Sequence, residues 1–116
     1  VKYLAGEAHA RVNQAMSGNG TTPIFIAAFR GHTDVVKYLC REANASVNET
    51  NTDVGFTPLH IATEEGHLGC VKYLVGEALA PVNHATFHNG FTPLMMSAYM
   101  GHDNVSNYLL SEGLAD

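Results

Sequence analysis

Seven histidines are the first chemistry-bearing feature of the chain, since an imidazole can ligate a metal, move a proton or tie two backbone segments together. Three of them, His32, His67 and His102, each follow a glycine and recur at one fixed spacing of 35 residues. A residue that returns with such regularity serves the architecture, by hydrogen bonding to a loop or capping a helix, and His60 in Thr57-Pro58-Leu59-His60 takes the same structural reading. His84 and His88 stand four apart, a spacing that pairs metal ligands on a helix, but they fall beside Asn89-Gly90 in a stretch that reads as a turn. Metal binding is therefore not expected. Glu64 and Glu65 are adjacent, so on a helix their carboxylates diverge by about 100° and do not converge as an acid and base pair. Neither Cys40 nor Cys70 has an evident base arranged beside it, and no G-x-S-x-G, P-loop or H-E-x-x-H pattern occurs. The residues supply no catalytic constellation and call for no cofactor; the chain is not expected to be an enzyme.

The elements that position these residues have to be built by a chain of 116 residues, 46% apolar and 15% charged, a balance that folds. Six basic against eleven acidic side chains give a net charge of -5, so the positive footprint that binds nucleic acid is missing. The longest apolar stretch, Pro23 to Phe29, is far short of the roughly 20 residues of a membrane span, and membrane insertion is not expected. Cys40 and Cys70 lie on opposite sides of two Val-Lys-Tyr-Leu segments and would not meet in a disulfide, which points to a reducing, intracellular and cytoplasmic setting.

The organising signal is a repeat. Thr22-Pro23, Thr57-Pro58 and Thr92-Pro93 are 35 residues apart, as are Gly20, Gly55 and Gly90, the Gly-His pairs, and Val12-Asn13, Val47-Asn48 and Val82-Asn83. Tyr3, Tyr38, Tyr73 and Tyr108 keep the same period. Self-similarity without insertions marks stacked supersecondary units, each unable to bury its apolar stripe alone. Within a unit, Thr57 can cap a helix whose first turn suits Pro58, and Gly66 ends that helix about two turns later. A second apolar period through Cys70, Val71, Leu74 and Ala78 predicts an antiparallel partner helix that gives way to Pro81-Val82-Asn83. The polar stretch Val82 to Phe91 reads as an extended turn into the next unit. Small residues at Ala27, Ala28, Ala62 and Ala98 would let successive first helices approach closely, so that the stack curves.

Gly55-Phe56-Thr57-Pro58-Leu59-His60-Ile61-Ala62, followed by Gly66-His67, Val71, Leu74 and Val82-Asn83, resembles an ankyrin repeat, with companion copies at Thr22-Pro23-Ile24-Phe25 and Thr92-Pro93-Leu94-Met95. The resemblance implies an all-α ankyrin-repeat solenoid of antiparallel helix pairs joined by extended, hairpin-like loops. It divides residues 1–116 into a partial repeat 1–19 and repeats 20–54, 55–89 and 90–116, an array expected to be a fragment of a longer one. Ser106 replaces Val36 and Val71 of the earlier copies, so the last, more polar helix is a candidate cap. The period departs from the family's usual 33 by one extra residue on each side of Val-Asn. Where the family ends its second helix with glycine, this chain has Ala8, Ala43 and Ala78, which would place His9, Asn44 or Leu79 at the turn; a left-handed Leu79 would be strained. Family members also include hosts for hydroxylation at the Val-Asn step, which would point to Asn48 or Asn83.

The resemblance further implies that another protein is the partner, docked on the concave face formed by first helices and turn tips. Positions that vary while the frame repeats are the candidate contacts: Asn19, Thr21, Phe29 and Arg30 in one copy, Asp53, Phe56, Glu64 and Glu65 in the next, and His88, Phe91, Tyr99 and Met100 in the last. Phe29, Phe56, Phe91 and Tyr99 have the character of interface anchors, although Phe56 and Phe91 could equally pack between adjacent turns. The end of the first helix runs from Arg30 through Glu65 to Met100, so a partner with a matching order of charge would be favoured. A monomer is expected, with the uncovered N-terminal helix as a route to association. A competing reading makes the array the targeting or regulatory arm of an enzyme or channel encoded outside these residues.

Overall fold

The computed structural model describes residues 21–47, 50, 55–87 and 90–111. Among them are six helices and no strands: α1 Pro23–Phe29, α2 Thr33–Arg41, α3 Pro58–Glu64, α4 Leu68–Gly76, α5 Pro93–Met100 and α6 Asp103–Ser111. Each odd-numbered helix packs against the even-numbered helix that follows it. The odd helices also pack in chain order, α1 on α3 on α5, and the even ones likewise, α2 on α4 on α6. The result is two layers of helices, each three helices long.

Local chemistry explains where the helices begin. Thr57 and Thr92 are extended residues whose hydroxyls accept the backbone N–H of His60 and Met95, and Pro58 and Pro93 occupy the first turn, where a missing donor costs nothing. Thr22 has the same extended backbone, but its side chain makes no such bond. The first helices end at Gly31, Gly66 and Gly101, all left-handed, with φ of 72°, 74° and 77°. At Gly31 a side chain is excluded twice over, because an added Cβ would lie 2.7 Å from the ring of His67. Gly66 has the same relation to His102, at 2.8 Å.

The core lies between the layers and between successive units. Ile24 and Leu59 from the first helices are fully enclosed, as are Val36, Val71, Leu74, Val105 and Leu109 from the second. Each such aliphatic side chain contributes about 1.5–3 kcal/mol on leaving water. Ala27, Ala28 and Ala62 are buried where first helices meet, but Ala98 is exposed, since no following helix covers it among the described residues. In the last unit Ser97 and Ser106 replace the Ala62 and Val71 of the unit before, and their hydroxyls bond at 2.7 Å. α6 thus carries one inward hydroxyl beside its buried Val105 and Leu109.

The second helices are shorter than their apolar period suggests. α4 stops at Gly76 and not at Ala78, because Leu79 takes φ 56° and turns the chain back; Asn44 does the same after α2, with φ 59°. The N–H of Ala80 then bonds the carbonyl of Leu74 at 2.8 Å, and that of Ala45 bonds Leu39 at 2.8 Å. These bonds satisfy carbonyls a helix end would leave open. Asparagine tolerates this backbone; leucine is strained in it.

Candidate functional site

Repetition of the first helix places side chains from two units along one line. Between α1 and α3 they enclose an open groove of about 440 Å³, lined by Thr21, Phe25, Ile26, Phe29, Phe56, Ile61 and Glu64. Thr21, Ile26 and Phe29 stand one period before Phe56, Ile61 and Glu64. Thr21 is small where the next two units carry Phe56 and Phe91, and that missing ring leaves room at the loop end of the groove. Phe29 is 46% exposed, an aromatic held at the surface by a helix only seven residues long.

Of the twelve residues singled out by variation between copies, the groove brings together Thr21, Phe29, Phe56 and Glu64. Arg30 and Glu65, each one residue further along the chain, are exposed at the ends of α1 and α3. Phe91, Tyr99 and Met100 form a separate group on the third unit. The rings of Phe91 and Tyr99 meet edge to face at 5.7 Å, and Tyr99 is 77% exposed. Asn19, Asp53 and His88 lie outside the described residues. Phe25, Ile26 and Ile61 were not among the twelve. Ile26 and Ile61 repeat and so look like frame, while Phe25, an aromatic where later units have His60 and Met95, was the available clue.

The electrostatics of the groove centre on Glu64. Partial burial and the charge of Glu65 beside it both push its carboxyl above the ordinary value. It sits in the last turn of α3, whose carbonyls carry partial negative charge and whose last turn holds no basic residue.

The histidines do structural work. His67 donates from Nε2 to the carbonyl of Phe29 at 3.0 Å, and His102 donates to the carbonyl of Glu64 at 2.9 Å. Each joins its unit to the first helix of the unit before. His60 is fully buried. Its Nδ1 accepts the backbone N–H of Thr57 at 3.3 Å, and its Nε2 reaches the carbonyl of Phe91 at 3.0 Å. Desolvation lowers its pKa from 6.5 to about 4, against the raising effect of the bond to Phe91. Its ring lies 5.6 Å from those of Phe56 and His84, so Phe56 both lines the groove and packs inward. His84 lies off any helix, just after the turn at Val82 and Asn83, and its Nε2 is enclosed without a hydrogen-bond partner among the described residues.

Cys40 and Cys70 are free thiols; Cys70 is buried against the hydroxyl of Thr33 at 3.2 Å. Among the described residues no three histidine, cysteine or acidic side chains gather as metal ligands, and no helix is long and apolar enough to cross a membrane.

A search of curated proteins returns no match. The family model for ankyrin repeats matches in three copies, over residues 1–86 and 47–116, and together these spans take in the whole chain. Paired helices, Thr-Pro starts, left-handed glycine stops and this match agree: the chain belongs to the ankyrin-repeat family.

Proposed function

We propose that this chain is a binding module that docks a segment of a partner protein in the groove between α1 and α3, on the concave side of the stack. Ankyrin repeats are in general protein–protein interaction modules. The observation that carries the reading is the groove itself, in which Phe29 stays 46% exposed and Phe25, Ile26 and Phe56 are left half-covered. Exposed aromatics in an apolar recess are the usual anchors of protein recognition. This reading predicts binding without turnover.

The test is affinity capture with the chain beside a Phe29→Glu variant whose helicity is checked by circular dichroism. A protein retained by the first and lost by the second supports the groove. Equal retention by both places recognition elsewhere, with the exposed Tyr99 and Met100 of α5 as the next surface to alter.

A further inference from the structure

The groove between α1 and α3 is apolar along most of its wall and acidic at one place. Phe25, Ile26, Phe29, Phe56 and Ile61 supply the apolar part, and among the described residues Glu64 is the only charged side chain in its lining. Glu64 stands in the last turn of α3, and the exposed carboxylate of Glu65, on the next residue and outside the groove lining, adds negative charge near it. Carboxylates at a helix C-terminus are unfavourable within the chain. Partial burial of Glu64 adds to that cost. A cation from outside paired with Glu64 would offset both its partial burial and the repulsion from Glu65, in a recess where water screens it less than on an open surface.

Resting on the binding-module reading above, we propose that the partner is a peptide segment carrying a bulky apolar side chain beside a lysine or arginine. The apolar side chain enters among Phe25, Phe29 and Phe56, and the basic group pairs with Glu64. Charge order sets the direction in which the segment lies. Arg30 marks the end of α1 and Glu65 the end of α3, so the basic residue lies toward α3 and an acidic or neutral residue toward α1. Arginine would bind the carboxylate with two parallel bonds and is favoured over lysine.

The experiment selects binders from a phage-displayed library of random twelve-residue peptides on the immobilised chain, with counter-selection on Phe29→Glu. The expected consensus is an apolar residue next to Arg or Lys. A synthetic peptide of that consensus should bind Glu64→Gln about tenfold more weakly and lose affinity with added salt. Glu64→Gln leaves the backbone carbonyl that His102 uses, and a thermal melt checks that the fold is intact. Phe29-dependent peptides with neutral or acidic flanks, or binding unchanged in Glu64→Gln, would overturn the charge assignment and leave the groove standing. Absence of any Phe29-dependent peptide would overturn the groove reading as well.

Discussion

Acidification should weaken this fold through His60. The ring is fully buried, and desolvation lowers its pKa from 6.5 to about 4. Above pH 6.5 it is neutral in both folded and unfolded chains and contributes no pH dependence. As pH falls from 6.5 toward 4 the unfolded chain takes up a proton that the folded one refuses, so stability drops. The loss is about 2 kcal/mol at pH 5 and approaches about 3 kcal/mol below pH 4. The Glu64 carboxyl, shifted upward, acts in the opposite sense, since its protonation favours the folded state from above the ordinary carboxylate value downward, but it does so equally in wild type and in a His60 variant. His60→Gln is the informative variant, because glutamine can accept the Thr57 N–H as the third helical residue of a capping box does and does not titrate. Urea unfolding near pH 7 and pH 5 should show wild type losing about 2 kcal/mol more than His60→Gln. Equal losses in the two proteins, or a His60 ring titrating above pH 6 by NMR, would refute the reasoning.

Leu79→Asn should raise stability by about 0.5–1 kcal/mol in urea unfolding, because Asn44 holds the same left-handed turn one unit earlier and the 78% exposed leucine gives up little buried area. Gly31→Ala should cost about 2 kcal/mol or more, by backbone strain at φ 72° and contact with a His67 ring already tied to Phe29; its melting temperature is the readout. Thr21→Phe copies Phe56 and Phe91, so it should fill the groove, keep the melting temperature and weaken peptide binding about tenfold or more by titration calorimetry. Ser97→Ala with Ser106→Val restores the Ala62 and Val71 pairing and should be neutral or stabilising by up to about 1 kcal/mol. Ser97→Ala alone should cost about 1 kcal/mol, having removed the partner of the Ser106 hydroxyl, and chemical denaturation separates the two cases.

The frame was legible because its signals are local and repeated. Thr57-Pro58 states a helix start within two residues, Gly66 states its end, and repetition at 35 residues multiplies each clue. The histidines were legible for the same reason, and His67 and His102 do bond to neighbouring carbonyls. The second-helix ends were only half legible. Leu79 was a candidate for the left-handed position, but Ala78 falls outside the helix because the turn begins before that residue. The groove was less visible. It arises from a comparison between units, a threonine standing where two phenylalanines follow, and its volume depends on how α1 and α3 pack. Variation between copies therefore found Thr21, Phe29, Phe56 and Glu64 but passed over Ile26 and Ile61, which line the wall without varying.

Two kinds of tie between neighbouring units recur, one reaching back along the chain and one reaching forward. His67 reaches back to Phe29 and His102 to Glu64, while on the opposite layer Lys37 lies 5.8 Å from the ring of Tyr73 and Lys72 lies 6.0 Å from that of Tyr108. Donor and acceptor positions in these ties are separated by a whole period plus a constant offset. Gain or loss of a complete unit by gene duplication or deletion recreates every latch at the new junction, whereas a shift of one residue inside a helix breaks the latches on both sides. Such a chain can lengthen or shorten its binding surface only in whole steps, and it can do so without inventing a new interface.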